Sequence, residues 1–292
     1  MDQFRWPDGR RCAVSLTFDM DGETISYVVD PEKAPMRMAL MSEFAYGPKV
    51  GVFHILDLLD LYEITASFFI PGRVVELHSD AVKEIQHRGH DVGHHGYMHE
   101  RPDTLSHAQE EKVLMKGIEV IESVTGRRPS GYRSPAWELK PSSPSLLLKH
   151  GFKYDSSLMG FDIPYWVKTP NGNLLELPVY WRTDDWPQFG YVSAPAVGTG
   201  ISAPSKGLEV FTAEFDGLFA RGGFFNMTMH PFLAGRPSGL IVLERLIRHI
   251  RAFPRIWWAP LSKIAEYCSS SDVAGSLPTD TTEIPEARWI TS

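Results

Sequence analysis

Short apolar runs alternate along this chain with longer stretches in which apolar positions recur at helical spacing. The apolar runs predict buried strands at residues 11–21, 64–70, 90–93, 151–155, 174–180, 223–230 and 255–259, and a short strand that begins at 131. The periodic stretches predict helices at residues 47–62, 74–86, 106–125, 142–150, 208–221, 239–252 and 261–268. Strands that alternate with helices are typical of a parallel sheet covered by helices, so the pattern predicts an α/β fold.

Three stretches of the chain lack such a pattern. Residues 23–46 contain two prolines and three methionines without a clear period, which predicts an ordered insertion of the kind that forms a lid or a site wall. Residues 188–206 are rich in Gly, Ala, Ser and Pro and predict a long surface loop. We therefore expect a single domain at 1–268 and a C-terminal tail at 269–292. The tail contains apolar residues that indicate docking on the domain: Ile284, Trp289 and Ile290.

Composition and charge narrow the partners that this chain is expected to bind. Its 292 residues carry a net charge of −7, and no run of Lys or Arg is longer than a pair. Nucleic acid and anionic membranes are therefore not expected partners. The two cysteines lie far apart in sequence, so no disulfide framework follows and a reducing compartment fits. Because no segment resembles an export signal or a membrane span, we expect a cytoplasmic protein.

Acids and histidines gather where two of the predicted strands end. Asp19 and Asp21 close the first strand, and a spacing of two places both on one side of an extended chain. A simple turn is the alternative, because Asp-Gly is good turn chemistry. His95 and His99 follow the third strand. If Gly96 turns the chain into a helix, their spacing of four brings both imidazoles to one ion; histidines that face solvent are the alternative.

Two more ionisable residues, Arg133 and His230, follow predicted strands. In parallel-sheet folds the carboxyl ends of the strands meet at one edge, where ligands bind. Two His and one carboxylate form a known set for zinc-type hydrolysis that leaves room for water and substrate. A spare carboxylate could then act as general base, a His outside the metal shell as general acid, and an Arg could keep the base ionised.

Five motifs give the chain a resemblance to a known family. They are TFDMDGE, HHGYMHE, YRSPAWEL, the DDWP segment and TMHP. Over residues 5–268 the chain resembles the polysaccharide deacetylase superfamily, which is also called the NodB-homology or carbohydrate esterase 4 family. This resemblance implies an irregular or incomplete (β/α) barrel and a divalent metal, for which we expect zinc.

The resemblance also implies a role for each matching residue. Asp19 matches the catalytic base, Arg133 matches its tether, and His230 matches the catalytic acid. Asp185 and Trp186 match the motif that orients the acid and walls the site, so both are expected near the substrate. The residues that match the metal ligands are Asp21, His95 and His99.

The chain departs from the general family pattern in informative ways. Met20 separates two acids that are adjacent in ordinary deacetylases, and Trp137 and Glu138 have no counterpart there and are expected to face substrate. The D-x-D form resembles a branch that contains cyclic imide hydrolases, allantoinase-like proteins and a peptidoglycan deacetylase. Members of this branch are commonly tetrameric, so a homo-oligomer is expected.

Three functions compete for these motifs. The sequence favours a hydrolase that opens a small cyclic imide or ureide, because an export signal is missing and aromatic residues indicate an enclosed pocket. The alternative is N-deacetylation of an acetylated sugar, either peptidoglycan or a chito-oligosaccharide. A binding protein without catalysis is disfavoured by the complete set of catalytic residues. The aromatic residues expected to line the pocket are Trp137, Trp181, Trp186, Phe189 and Tyr191.

Overall fold

The computed structural model describes residues 4–193, 196–198 and 200–281 of this chain. Its strands are β1 (Cys12–Asp19), β2 (Ser67–Ile70), β3 (Asp91–His94), β4 (Gly131–Tyr132), β5 (Tyr154–Asp155), β6 (Tyr165–Thr169), β7 (Gly172–Glu176), β8 (Val192–Ser193), β9 (Ala196–Val197), β10 (Phe224–Met229), β11 (Ile256–Trp258) and β12 (Thr279–Thr281). Its helices are α1 (Thr24–Val29), α2 (Met38–Tyr46), α3 (Val52–Leu61), α4 (Gly72–Leu77), α5 (Ser79–His87), α6 (His107–Thr125), α7 (Ser143–Lys149), α8 (Trp186–Phe189), α9 (Pro204–Arg221), α10 (Pro231–Ala234), α11 (Pro237–Arg251) and α12 (Leu261–Cys268).

One mostly parallel sheet organises the described residues. Its strand order is β10-β1-β2-β3-β4-β5-β7-β6-β12, and β11 also pairs with β1. Only β6 and β7 pair antiparallel within it. The sheet does not close on itself within the described ranges, so the barrel is incomplete. The prediction of an α/β fold with an incomplete (β/α) barrel is confirmed.

Strand β1 pairs with three neighbours, β10, β2 and β11, and is buried along its whole length. Alternate residues of β1 join apolar cores on opposite faces, because successive side chains of a strand point to opposite sides. Val14 and Leu16 pack with α3, α9 and α11, whereas Ala13 packs with α12. Burial on both faces explains why the run at 11–21 is almost continuously apolar.

The register of the strands brings their carboxyl ends to a common edge. Asp19 of β1 lies opposite Phe69 of β2, and Phe69 lies opposite Gly93 of β3. On the other side of β1, Phe18 pairs with Met229, the last residue of β10. The segments that leave β1, β3, β4 and β10 therefore start close together, at the edge where parallel-sheet folds bind ligands.

Several elements differ from the sequence prediction. The insertion at 23–46 is largely helical, since it contains α1 and α2. The predicted helix at 74–86 is two helices, α4 and α5, separated at His78. The predicted loop at 188–206 contains the end of α8 and the small pair β8–β9. Strand β6 was missed by the sequence pattern, and it forms a hairpin with β7.

The other predicted helices form close to their expected bounds. Helix α6 begins with a capping box, in which the Ser106 hydroxyl accepts the Gln109 N–H and the Gln109 side chain accepts the Ser106 N–H. No helix within the described ranges is long and apolar enough to cross a membrane. Strand β12 adds residues beyond 268 to the sheet, next to β6. The domain boundary at 268 stays a prediction, and Ile284, Trp289 and Ile290 lie outside the described residues.

Candidate active site

Two buried acids at the end of β1 line the same cavity. Asp19 and Asp21 are each 2% exposed and both line the cavity, while Met20 between them packs into the apolar core. The alternation of a strand continues for two residues past its last ladder pair, which puts both carboxylates on one side. Met20 therefore acts as an apolar anchor between the two acids.

The loop from His95 to His99 brings both imidazoles together, but it is not a helix. Gly96 and His99 have φ values of +74° and +63°, in the left-handed region. The prediction of a helical turn here is wrong, although the predicted convergence is observed, with ring centroids 5.0 Å apart. The Glu100 carboxylate holds the loop by accepting the backbone N–H groups of Tyr97 and Met98 at 3.0 and 2.7 Å.

Asp21, His95 and His99 form a buried cluster that fits a divalent cation. One ligand atom from each lies within 4.8 Å of the others. His95 Nε2 is 3.4 Å from Asp21 Oδ1, and His99 Nε2 is 3.7 Å from Asp21 Oδ2. Asp21 Oδ1 is buried without a hydrogen-bond partner among the described residues. A buried carboxylate oxygen is costly to leave unpaired, and a cation would satisfy it.

The histidines of this cluster present the correct atoms to a metal. His95 Nδ1 lies 2.7 Å from the Arg133 carbonyl oxygen, which can only accept, so Nδ1 carries the proton. His95 Nε2 therefore directs its lone pair at the centre of the cluster. Burial lowers the pKa of His99 to about 4, which keeps this imidazole neutral.

Asp19 is held by a fully buried arginine. Arg133 is 0% exposed, and its Nη1 donates to Asp19 Oδ1 at 2.8 Å and to the Thr17 hydroxyl at 2.8 Å. Its Nε and Nη2 donate to the carbonyl and hydroxyl oxygens of Ser156, both at 3.0 Å. Burial raises the pKa of Asp19, but the charge and hydrogen bond of Arg133, together with the charge of His230, outweigh this effect and leave the pKa below its usual range.

His230 lies beside the cluster and is oriented by Asp185. His230 Nδ1 donates to Asp185 Oδ1 at 2.7 Å, and the His230 backbone N–H lies 3.1 Å from both carboxylate oxygens. His230 Nε2 is then 3.6 Å from Asp21 Oδ2. Burial lowers the pKa of His230, but Asp185 and Asp184 more than compensate and raise it to about 10. The ring is therefore an imidazolium whose Nε2 proton faces the cluster.

A cavity of about 350 Å³ opens over these groups. Its lining is formed by Asp19, Asp21, Ile25, Val28, Val29, His95, His99, Ala136, Trp137, Trp181, Asp184, Trp186 and His230. Trp137 stacks on Trp181 with ring centroids 4.3 Å apart. Apart from the ionisable groups, the wall is aliphatic and aromatic, which suits a small or narrow substrate.

Not every residue expected at the substrate lies in the cavity wall. Glu138 is exposed and does not line the cavity, so the structure gives it no contact with a substrate. Asp185 is 0% exposed and lies behind His230. Phe189 and Tyr191 line a different cavity. Phe189 is the last residue of α8, and Tyr191 directly precedes β8.

Residues 23–46 do form part of the cavity wall, as expected, but two sets of wall residues were not named from the sequence. Helix α1 supplies three apolar wall residues, Ile25, Val28 and Val29, whose spacing of three and four was a readable helical signal. Asp184 also lines the cavity, and the DDWP segment contained it without indicating which of its two acids meets the cavity. Only the fold separates the position of Asp184 from that of Asp185.

Known proteins resemble this chain over most of its length. Residues 33–154 match the family model described as polysaccharide deacetylase. The peptidoglycan deacetylase of Helicobacter pylori is 33% identical over 252 residues, which cover 77% of this chain and 86% of that protein. The crystal structure of a provisionally assigned polysaccharide deacetylase from Mycobacterium smegmatis is 41% identical, with a TM-score of 0.91 and 98% of each chain covered.

A more distant solved structure shares the fold. The PuuE allantoinase is 24% identical, with a TM-score of 0.79 over 91% of this chain and 93% of that one. At this identity the likeness shows the fold alone. Membership in the family is supported instead by the Helicobacter pylori relative, together with the matched family model. On this evidence, the chain belongs to the polysaccharide deacetylase family.

Proposed function

We propose that this chain is a metal-dependent hydrolase that removes the acetyl group from an N-acetylated amino sugar. The observation that carries the proposal is the buried cluster of Asp21, His95 and His99, which faces a cavity between Asp19 and His230. The comparisons favour this alternative over cyclic amide hydrolysis, which the sequence placed first, because the relatives that show the family are named as deacetylases.

Asp21, His95 and His99 would hold the divalent metal. When bound, such an ion polarises a carbonyl oxygen and lowers the pKa of water, and zinc is the ion we expect from this donor set. The family is metal-dependent, and the unpaired Asp21 oxygen agrees with a cation at this position.

Asp19 and His230 would move the two protons of the reaction. Asp19 is kept ionised by Arg133, so it can accept a proton from the water that attacks the amide carbonyl. His230 is an imidazolium, so its Nε2 can donate a proton to the leaving nitrogen as the carbon–nitrogen bond breaks. The oxygen and second proton of water leave with the acetic acid, and the amine leaves neutral. The proton that Asp19 accepted then returns to His230, so the protons balance.

Opening of a small cyclic amide is the second candidate. The observation in its favour is the size and apolar lining of the cavity, about 350 Å³, which α1 and the stacked pair Trp137–Trp181 enclose. The same proton transfers would open a ring, and the leaving nitrogen would stay attached to the new carboxylate as part of an amide or ureido group. A polymer needs an open groove, so only a chain end or a short oligomer fits the first candidate with this cavity.

A substrate panel separates the two candidates. We would load the protein with zinc and measure acetate release from N-acetylglucosamine oligomers and muropeptides, and ring opening of succinimide, glutarimide, hydantoin and allantoin. Acetate release that disappears in Asp19→Asn supports deacetylation. Ring opening without acetate release would establish the second candidate instead. If the metal-loaded protein hydrolyses none of these compounds, both candidates are wrong.

A further inference from the structure

The carboxyl group of Asp184 lines the cavity but has no role in the reaction described above. Among the described lining residues, Asp21, His95 and His99 face the metal position, and Asp19 and His230 move protons. The other lining residues are aliphatic or aromatic, with the single exception of Asp184. A carboxyl group in an otherwise apolar wall is costly to bury, so its presence calls for a partner.

The backbone and one oxygen of Asp184 are fixed by the fold. Its backbone forms an isolated parallel bridge with Thr228 of β10. Its Oδ1 accepts the Trp186 backbone N–H at 2.7 Å, which starts α8, and lies 3.7 Å from His230 Nδ1. Its Oδ2 accepts no hydrogen bond from a described residue, and it is not among the fully buried polar atoms that lack a partner. That oxygen is therefore the one that the cavity can reach.

Asp184 is also not needed to orient the imidazole of His230. The Asp185 carboxylate already accepts a hydrogen bond from His230 Nδ1 at 2.7 Å and another from the His230 backbone N–H at 3.1 Å. Two adjacent acids thus have different positions: Asp185 is behind the ring and 0% exposed, and Asp184 is beside the ring at the cavity surface.

We propose that Asp184 is a specificity-determining residue, whose free oxygen binds a hydroxyl or N–H group on the amine side of the substrate. This inference rests on the proposed function. His230 faces the leaving nitrogen, and Asp184 lies next to His230, so the group it meets belongs to the amine rather than to the acyl part. An amino sugar fits these requirements, because hydroxyl groups flank its nitrogen and the faces of its ring can stack on Trp186 and Trp137.

The electrostatics of Asp184 agree with this assignment. Burial and the neighbouring charge of Asp185 raise the pKa of Asp184 to about 7, despite the opposing effect of His230. Near neutral pH its carboxyl can therefore accept a hydrogen bond when ionised or donate one when protonated. A hydroxyl group can satisfy either form, whereas an apolar substituent can satisfy neither.

A matched pair of small amides tests the assignment. The substrates are trans-2-acetamidocyclohexanol, which carries a hydroxyl beside the amide, and N-acetylcyclohexylamine, which lacks it. We expect the wild type to prefer the hydroxylated amide by about ten- to a hundredfold in kcat/KM, the range for a hydrogen bond to a charged group. In Asp184→Ala this ratio should fall close to one, mainly through KM, and in Asp184→Asn, which keeps an acceptor, most of it should persist.

The control is the adjacent acid. Asp185→Asn should lower kcat for both amides by the same factor and keep their ratio, because Asp185 acts through His230 alone. The assignment is wrong if Asp184→Ala lowers kcat/KM equally for both amides, so that their ratio stays as in wild type. Equal metal content, measured in each variant, excludes an indirect effect on Asp21, His95 and His99.

Binding measurements distinguish this proposal from the proposed function. If the wild type releases no acetate from the amino-sugar panel, the proposed function fails. Calorimetry with the two amides and the zinc-loaded Asp19→Asn protein then still tests Asp184 without turnover. Tighter binding of the hydroxylated amide, lost in Asp19→Asn/Asp184→Ala, supports the specificity role. Equal binding of both amides to Asp19→Asn overturns it.

Discussion

Two buried pairs of acids lie at strand ends in this chain, and they differ in their surroundings. The first pair is Asp19 and Asp21, at the end of β1. The second pair is Asp155 and Glu176, which lie opposite each other in β5 and β7. All four are at most 2% exposed. Yet the pKa of Asp19 is lowered, while the pKa values of Asp155 and Glu176 are raised.

The difference comes from cations, since burial alone raises the pKa of every acid. Asp19 has a direct contact with the Arg133 guanidinium, and the His230 imidazolium lies 3.6 Å from Asp21 Oδ2. Glu176 has only the N–H groups of Ser157 and Leu158 on one oxygen, both at 2.9 Å. Glu176 Oε2 and Asp155 Oδ2 have no hydrogen-bond partner among the described residues. A proton shared between the two acids is the simplest way to satisfy both oxygens. Equal burial thus leaves Asp19 ionised in the cavity, whereas Asp155 and Glu176 keep a proton in the wall of the sheet.

The largest expected effect follows from removing the histidines beside Asp19 and Asp21. His95→Ala and His99→Ala should each reduce metal content and turnover to background, because a single histidine and Asp21 cannot complete the ligand set. Elemental analysis and acetate release measure both effects. His249→Ala, which removes a partly exposed imidazole of α11 that pairs with Asp216, is the control and should keep its metal. Full metal content in both cavity variants would refute the metal assignment.

A second substitution separates the role of Asp19 from that of Asp21. Asp19→Asn keeps the shape of the side chain but cannot accept a proton, so kcat should fall by about 10²–10⁴-fold, the range for a general base. Calorimetry should show that zinc still binds, because Asp21 carries the metal-facing oxygens. If zinc binding is lost in Asp19→Asn and kept in Asp21→Asn, the two roles are reversed.

The positions of these groups could largely be read from the sequence. Asp19 and His230 terminate apolar runs, and parallel-sheet folds collect strand ends at one edge, so their meeting followed from the strand pattern alone. The conformation of the loop with His95 and His99 did not follow. A spacing of four implies convergence only in a helix. The positive φ of His99 occurs in a loop whose carbonyl groups accept hydrogen bonds from Gly72 and Arg73 of α4, a helix formed by another part of the chain.

Two other errors of sequence interpretation have different causes. The spacing of Ile25, Val28 and Val29 was helical, but the prolines and methionines of the same stretch hid so short a period. Strand β6 contains Lys168 and a partly exposed Trp166, so its pattern was weak and only its pairing with β7 defines it. The partner of Glu176 was equally unreadable, because Asp155 lies on another strand and the two acids meet only through the sheet.

A third prediction changes the cation that distinguishes the two pairs. Arg133→Lys keeps one positive charge but cannot make the four hydrogen bonds that now join Thr17, Asp19 and Ser156. We expect kcat to fall by about tenfold, a smaller loss than for Asp19→Asn, because the base remains but is less well oriented. The pKa of Asp19 should rise, so the acid limb of kcat/KM should move to higher pH. An acid limb that stays in place would show that Arg133 does not keep Asp19 ionised.

The smallest expected effect concerns the pair that keeps a proton. The folded-state pKa of Glu176 is raised above its unfolded value of about 4.3, so its contribution to stability is complete below that pH. The contribution is lost as pH rises, because the unfolded chain releases the proton that the folded chain holds. Glu176→Gln mimics the protonated carboxyl and should remove this loss, so its Tm relative to wild type should increase from pH 4 to pH 8.

Thermal unfolding of a matched variant decides where that proton lies. Asp155 has the Ser157 hydroxyl at 2.7 Å and is also stabilised by the charge of Arg133, so it is the member of the pair that we expect to ionise. Asp155→Asn places a neutral amide on the wrong partner and should be less stable than Glu176→Gln at pH 8. A constant difference between Glu176→Gln and wild type across this pH range would contradict a shared proton, since a pure packing change has no pH dependence. The opposite order of the two variants would place the proton on Asp155.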